Sequence, residues 1–379
     1  MDMDLKARSL QKLGNEITVI TTYSSENDII GHLPYKIIEE YIPSKRLLTI
    51  QKGIFDILKK YENSTDIFHV DGHIYLYGAG LYRLLGGKIP IVAHFNRELM
   101  CWPENMSTRI QKAKDKTIIR VKKKIRLIIE KYIGIPIANH IDLLTFANPV
   151  IQKTYENFGL KKDNTNFVDG DFIDHEKIRI KNNIIKKSYI ERNKITGEQL
   201  NIFYTGRMAP GKGFDTLITA FSKIKNKNKY KLILGGDGEE RQNLQKMVLN
   251  LKIEKYVKFL GWIPIENIYE YFNQADIFVL PKCMRIEFNS ITLLEAMNFG
   301  LPCIVPQGGA LAWSANKGAL NYIDEDCNDL AQKIETLGNN PNLRAELSKN
   351  CFIRLTDDEM DYKKRAVILN NAIKKLCKN

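Results

Sequence analysis

The chain has 379 residues, of which 44% are hydrophobic and 27% charged, and its formal net charge at pH 7 is +13. This length exceeds what one hydrophobic core usually serves, so we expect two globular domains. No apolar run approaches the length of a membrane span, no signal peptide is evident, and the six cysteines show no Cys-x-x-Cys spacing. These features argue against a membrane-spanning protein and a disulfide-rich secreted domain, and they predict reduced cytoplasmic thiols.

The excess of positive charge indicates a phosphate-rich partner, which is a nucleotide sugar, an anionic membrane or a nucleic acid. Charge alone does not choose among them, and the abundance of Lys, Ile and Asn also fits a composition bias with nonspecific surface charge. No cluster of His, Cys or acidic residues stands at metal-ligand spacing, so we predict no metal site.

The first half of the chain alternates helices with strands. An amphipathic helix stops at Gly14, and a β-branched strand follows at 16–21. Further helices and strands are predicted at 48–61, 66–70, 77–85, 89–93 and 142–146. This alternation is typical of a doubly wound α/β domain. His94 directly follows one of the strands, at the edge where site residues collect; a structural histidine is the alternative.

A basic stretch spans residues 107–133. It holds ten Lys and Arg residues against Asp115 and Glu130, and isoleucines, leucines and valines supply an apolar side. A basic amphipathic helix can lie on an anionic membrane. The alternative is an ordinary surface helix with a solvated basic face.

A domain boundary is predicted near Asp169, where Gly170 suits a hinge and a polar, lysine-rich run follows. The first domain then covers 1–168, and the second covers 169–356. A last helix is predicted over 357–376, with acidic residues at its start and basic residues at its end, as the helix dipole favours.

The second half restarts with a strand at 201–204, followed by a glycine-rich turn from Gly206 to Gly213. Arg207 and Lys212 place two cations on this turn. The turn is not a Walker loop, because Gly213 and Phe214 follow the lysine where Ser or Thr is required. Two surface cations on an ordinary turn are the alternative interpretation. Two further turns follow, one around Gly236 and one that ends at Ile263, and each alone is a weak signal.

The segment from Arg285 to Gly300 is predicted to be a loop that enters a helix. Asn289 or Ser290 can cap the helix, and Gly300 suits a left-handed C-terminal cap. A strand at 275–281 precedes it, so a ligand is expected beyond the carboxyl end of that strand, near the helix N-terminus.

Two glutamates in this segment are separated by seven residues. Glu287 on the loop can reach a sugar ring, and Glu295 in the helix can accept hydrogen bonds from ribose hydroxyls. A nucleotide sugar would satisfy both. The alternative is that Glu287 caps a turn and Glu295 is a solvated helix residue.

The order and spacing of these elements, from Gly206 to Glu295, resemble the retaining glycosyltransferases of family 4, which have the two-domain GT-B fold. The resemblance implies two Rossmann-like doubly wound domains that face a cleft, with 357–379 crossing back onto the first. It implies that Glu287 and His94 face the donor sugar and that Glu295 binds the ribose. The other donor-binding positions are assigned by the same resemblance: Arg207 and Lys212 at the leaving diphosphate, the backbone of Asn289, Ser290, Ile291 and Thr292 at the phosphates, and Gly206, Gly236 and Ile263 beside the nucleotide.

Two features depart from the family pattern. Phe288-Asn289-Ser290 replaces the usual Gly or Pro followed by Phe-Gly after the first glutamate, which leaves the donor sugar and base open. No β-rich segment or glycine loop precedes the opening helix, so the first strand of the N-terminal sheet is expected to be missing.

The resulting expectation is a metal-independent retaining glycosyltransferase on the cytoplasmic side, and peripheral association with the inner face of the membrane is left open. The expected enzyme needs no cofactor and moves a hexose-type sugar from a UDP- or GDP-sugar to a glycan or lipid-linked acceptor in polysaccharide or glycoconjugate synthesis. A sugar-nucleotide epimerase, a phosphorylase and an inactive nucleotide-sugar-binding protein of the same fold are the alternatives. No nucleic-acid partner is expected.

Overall fold

The computed structural model describes residues 2–22, 33–42, 47–72, 75–96, 116–163, 165–170, 172–181, 199–264, 267–281 and 290–378. The chain divides into two compact units. Unit 1 comprises Met1–Ile173 and Asp358–Asn379, and unit 2 comprises Asp174–Asp357. The division falls a few residues beyond the predicted boundary near Asp169.

Unit 1 contains six strands and seven helices within its described residues. In chain order they are α1 (Asp2–Lys12), β1 (Thr18–Thr22), β2 (Lys36–Glu40), α2 (Leu47–Tyr61), β3 (Phe68–Asp71), α3 (Leu76–Leu84), β4 (Ile91–Phe95), α4 (Lys116–Ile129), α5 (Ile135–Ala138), β5 (Leu143–Phe146), α6 (Pro149–Asn157), β6 (Phe167–Val168) and α15 (Tyr362–Leu376). A π-helical turn at Glu130–Gly134 joins α4 to α5.

The strands of unit 1 form two separate parallel sheets. One has the order β3-β4-β5-β6, and the other consists of β1 and β2 alone. The predicted strand at 16–21 therefore forms, but it pairs with Lys36–Glu40, which the sequence analysis did not identify as a strand. Within the described residues, no strand joins β1 to β3.

Alternate residues of the four-stranded sheet face two different cores, because successive side chains of a strand point to opposite faces. Ile91, Ala93 and Phe95 belong to the core on one face. Val92 lies in the core on the other face, where residues of α1 and α15 cover the sheet. Residues 358–379 thus belong to unit 1.

Unit 2 contains one parallel sheet of six strands in the order β12-β11-β10-β7-β8-β9. Its elements are α7 (His175–Lys181), β7 (Leu200–Thr205), α8 (Phe214–Lys223), β8 (Tyr230–Gly235), α9 (Arg241–Asn250), β9 (Val257–Gly261), α10 (Ile268–Gln274), β10 (Ile277–Val279), α11 (Ile291–Asn298), β11 (Cys303–Pro306), α12 (Gly309–Ala315), β12 (Ala319–Tyr322), α13 (Cys327–Asn339) and α14 (Pro341–Arg354). Both units have the expected Rossmann-like α/β architecture.

The basic stretch at 107–133 is described from Lys116 onward, as α4 and the π-helical turn. Residues 107–115 lie outside the described part of the chain. Among the described helices, none has the length and apolar character needed to cross a membrane.

Candidate functional site

Three turns of unit 2 are joined by backbone hydrogen bonds beyond the carboxyl ends of β7, β8 and β9. The N–H of Gly206 donates to the carbonyl of Gly235 at 3.2 Å, and the N–H of Gly236 donates to the carbonyl of Gly261 at 2.7 Å. Met208 donates to the carbonyl of Asp237 at 2.9 Å. The predicted positions Gly206 and Gly236 are therefore parts of one continuous backbone surface at the edge of the sheet.

Ile263 lies directly against this surface. A β-carbon placed on Gly235 would stand 2.6 Å from Cδ1 of Ile263, so the third turn folds back over the end of β8. Gly236 adopts a φ of +109°, a conformation that favours glycine over other residues. The turn after β8 thus needs glycine at Gly236 for the backbone conformation and at Gly235 for close approach.

Lys212 and Gly213 form the entry to α8. The hydroxyl of the buried Tyr204 donates to the carbonyl of Lys212 at 2.7 Å, which fixes the backbone at the lysine. Gly213, with a φ of +74°, then begins the helix. The side chain of Lys212 is half-buried, whereas Arg207 is exposed. The two cations thus flank one glycine-rich turn at the edge of the sheet.

The N-terminus of α11 lies at the same edge. β10 pairs with β7 in parallel, with Phe278 beside Phe203, so the segments after both strands leave the sheet on one side. Ser290 is the N-cap, and its side chain accepts from the N–H of Leu293 at 3.4 Å. The early N–H groups of α11, including those of Ile291 and Thr292, therefore have the orientation that binds anions at helix N-termini.

Glu295 is held in a largely apolar setting within α11. Burial raises the pKa of its carboxyl group to about 7. The phenol of Tyr269 is close enough that the charge of Glu295, added to burial, raises the pKa of the tyrosine. The Tyr269 ring in turn stacks on Phe299 at a centroid distance of 5.7 Å. Glu295 is thus a carboxylate whose ionisation costs free energy, and hydrogen-bond donors from a ligand would reduce that cost.

His94 lies in unit 1, at the end of β4, and is fully buried. Its Nδ1 is 2.9 Å from Oγ1 of Thr145, and its Nε2 has no hydrogen-bond partner among the described residues. Burial lowers the pKa of this imidazole well below its ordinary value, and the nearby charge of Lys6 lowers it further. His94 is therefore neutral, with one ring nitrogen left for another group.

Two of the predicted site residues, Glu287 and Asn289, lie outside the described residues. One neighbour was missed by the sequence analysis: Arg241, at the start of α9, donates to Asp237 at 2.7 Å and lies beside Gly261. The four-residue spacing between Asp237 and Arg241, at the start of a helix, is the signal that identifies this pair.

Within the described part of the chain, no group of three or more His, Cys, Asp or Glu side chains is placed to hold a metal ion.

Comparison with known proteins connects this arrangement to one family. The family described as glycosyl transferases group 1 matches residues 185–352. The mannosylfructose-phosphate synthase of Agrobacterium fabrum is 27% identical over 180 residues, which is 45% of this chain and 38% of that protein. The alpha-monoglucosyldiacylglycerol synthase of Streptococcus pneumoniae is 23% identical over 84% of this chain and 70% of that protein.

The fold extends over the whole chain. The Anabaena protein HepE, solved in complex with UDP, superposes with a TM-score of 0.70 over 98% of this chain and 94% of that one, at 17% identity. The chain spans between 30% and 45% of the length of three of the curated relatives that it matches. Residues 185–352 are thus similar to the group 1 glycosyl transferases, and the chain has the GT-B type of fold, with two Rossmann-like units.

Proposed function

We propose that this protein is a retaining glycosyltransferase that uses a nucleoside diphosphate sugar as its donor. The single observation that carries the proposal is the joined surface at the carboxyl edge of the unit 2 sheet. There, the Gly206, Gly236 and Ile263 turns meet at the edge that also holds the N-terminus of α11. This edge is where open α/β sheets bind nucleotides.

Each part of this surface fits one part of the donor. The N–H groups of α11 and the cations Arg207 and Lys212 suit the diphosphate, where negative charge develops as the bond to the sugar breaks. Glu295 suits the ribose hydroxyls, which would donate hydrogen bonds to its carboxylate. By family resemblance, Glu287 contacts the sugar itself. No metal ion or cofactor is part of the proposal.

The reaction would replace one bond at the anomeric carbon by another on the same face. The bond from that carbon to the leaving phosphate oxygen breaks, and a bond to an acceptor hydroxyl oxygen forms. The hydroxyl proton passes to the leaving phosphate. The acceptor is a glycan or a lipid-linked sugar, a choice supported by relatives whose names include a diacylglycerol and a phosphatidylinositol mannoside.

A screen of UDP-, GDP- and ADP-sugars for thermal stabilisation tests the donor, because a ligand that binds the native state raises its melting temperature. Product analysis with the stabilising donor then separates transfer from epimerisation and from binding without turnover. In this assay, Glu287→Gln should impair transfer but leave the affinity for the free nucleoside diphosphate unchanged. Absence of stabilisation by every nucleotide sugar would refute the donor assignment.

We extend the proposal to a peripheral contact of α4 and the π-helical turn with an anionic membrane. The apolar side chains here are spaced along one helical face and are each about half exposed or more: Val121, Ile125, Ile128, Ile129, Tyr132 and Ile133. The opposite side carries Glu130, which is buried and accepts a hydrogen bond from Tyr77. An ordinary surface helix turns its apolar stripe toward the core, whereas this helix presents it to solvent.

Cations flank the exposed apolar stripe. Lys124 and Lys131 lie on one side of it, Arg126 lies on the other, and all three side chains are exposed. Apolar side chains can enter the acyl boundary of a bilayer while the flanking cations meet anionic headgroups. Each cation contributes about 1 kcal/mol, or roughly fivefold in affinity, at low salt.

Vesicle binding tests this contact. We expect the protein to bind vesicles that contain anionic lipid, to bind less well as salt rises, and to lose binding in Ile125→Glu and Ile128→Glu. Leu249→Glu is the control, because Leu249 is an equally exposed apolar residue on α9 of unit 2. Equal binding to neutral vesicles, or equal losses in the control, would contradict the proposal.

A further inference from the structure

A buried charged cluster lies beside His94 on the face of the unit 1 sheet that α1 and α15 cover. Nζ of Lys6, from α1, is 3.1 Å from Oδ2 of Asp169 and 3.6 Å from Oδ2 of Asp71. Lys6 is 2% exposed and Asp169 is fully buried. Arg365, from α15, donates to the backbone carbonyl of Asp169 at 2.6 Å. A lysine is almost never this buried unless it is paired, so Lys6 is held in a built site.

Strand register places this cluster next to the imidazole. Asp71 of β3 is the neighbour of His94 on β4, and His94 is the neighbour of Thr145 on β5. Neighbours in a parallel register present their side chains on the same face. Asp71, His94 and Thr145 therefore form one row across the carboxyl ends of three strands. Lys6 contacts Asp71 at one end of the row and Asp169, which follows β6 beyond the other end.

Nε2 of His94 is buried and has no hydrogen-bond partner among the residues that the structure describes. A buried polar atom without a hydrogen-bond partner is rare in folded proteins and often marks a functional position. The groups that face the ring from each packed element are Lys6 of α1, His69 and Asp71 of β3, Thr145 of β5, Asp169 after β6, and Arg365 of α15. At neutral pH, the two cations, Lys6 and Arg365, balance the two carboxylates of Asp71 and Asp169. The cluster is therefore neutral without a proton on the imidazole.

We propose that Lys6 and Thr145 are positioning residues for His94: Thr145 holds the ring at Nδ1, and Lys6 offsets the charges of Asp71 and Asp169 beside it, so that Nε2 is left for a hydroxyl group of a substrate. This inference rests on the proposed function for its ligand. It assigns a role to α1, for which the sequence predicts only an amphipathic helix. A neutral ring can exchange one hydrogen bond with a hydroxyl group, whereas an imidazolium ring can only donate.

Lys6→Met tests the electrostatic half of the proposal. This variant keeps an unbranched side chain but leaves Asp71 and Asp169 without their cation, so His94 should gain a proton at a higher pH than in the wild type. NMR titration of labelled histidine measures this directly and needs no transferase activity. The ratio of the variant's kcat/KM to that of the wild type should fall about tenfold for each pH unit below the new pKa of His94.

Two further variants control this experiment. Arg8→Met removes a cation from the same helix, where it pairs with Asp4 at the surface, and should leave the His94 titration unchanged. Lys6→Arg keeps the charge and should retain the wild-type titration. If Lys6→Met is folded and His94 titrates as in the wild type, the role of Lys6 is refuted.

Thr145→Val tests the geometric half, and it remains informative if Lys6→Met does not fold. Loss of the hydroxyl should leave the ring in a mixture of tautomers, visible in its nitrogen chemical shifts, and should lower kcat about 10- to 100-fold with an unchanged KM for the donor. A single wild-type tautomer or an unchanged kcat would overturn the proposal. If no variant or wild-type protein transfers sugar, the tautomer and titration results still decide the positioning roles separately from the proposed function.

Discussion

A β-carbon on Gly236 would stand 1.8 Å from the carbonyl oxygen of Gly206. Because Gly236 also has a positive φ, Gly236→Ala adds a backbone clash to a conformational cost of about 1–2 kcal/mol. We expect the melting temperature to fall by several degrees and the affinity for nucleotide to fall at least tenfold, as the turns separate. Thermal unfolding and calorimetric titration measure the two effects.

Gly308→Ala is the matched control for that variant. Gly308 has a φ of +73°, but a β-carbon there would meet no atom within 4 Å. It therefore carries the conformational cost without the clash. Equal losses of stability in the two variants would show that the contact between Gly206 and Gly236 is unimportant.

Removal of the Lys212 side chain should weaken nucleotide binding. A hydrogen bond to a charged group contributes about 1.5–3 kcal/mol, so Lys212→Ala should lower the affinity for the nucleoside diphosphate roughly 10- to 100-fold. The nucleoside, which lacks phosphates, should bind the variant and the wild type alike. Lys246→Ala, at an exposed position on α9, should behave as wild type. An unchanged diphosphate affinity in Lys212→Ala would remove this residue from the site.

Nucleotide binding should release protons near neutral pH if the ribose hydroxyls reach Glu295. Burial holds the pKa of this carboxyl at about 7, and hydrogen bonds to the charged form would lower it in the complex. The affinity should therefore rise with pH up to about 7 and then level off. Calorimetry in buffers of different ionisation enthalpy measures the released protons. Glu295→Gln should abolish the release, and equal release in the variant would point to a different group.

The same residue predicts how the pH affects stability in the absence of ligand. The pKa of Glu295 is raised from 4.5 to about 7 by folding, so between these values the native state binds more protons than the unfolded state. Its contribution to stability is therefore lost as pH rises through this window. Glu295→Gln should be more stable than the wild type at pH 8, and the difference should shrink toward pH 5. Chemical denaturation at the two pH values is the measurement.

Hydrogen exchange should be faster in the two-stranded sheet of unit 1 than in the sheet of unit 2. Among the described residues, β1 and β2 pair only with each other, and an isolated strand pair is marginally stable. The amides of 18–22 should exchange at least about a hundredfold faster than those of 200–205. β9 controls for position, because it also lies at a sheet edge. Protection of β1 equal to that of β9 would indicate that another segment completes the sheet.

Local signals in the sequence predicted much of unit 2. Ser290 and Gly300 were identified as caps of α11 because cap chemistry depends on neighbouring residues alone. The strand Ala319–Tyr322 was missed, since it is short and exists through pairing with β11, a distant contact. Lys6 was missed for a related reason. A lysine in a helix is ordinarily solvated, and only the fold brings Asp71 and Asp169 to it.

The return of residues 358–379 to unit 1 affects how the protein is made. All of unit 2 lies in one uninterrupted stretch, so it can fold as soon as residue 357 has left the ribosome. Unit 1 is begun first but finished last, because α15 supplies Leu369 and Ile373 to the core against β4 and β5. Until then, the face that carries Val92 and His94 lacks part of its cover. Of the two units, the one whose synthesis begins first therefore depends longer on protection from aggregation.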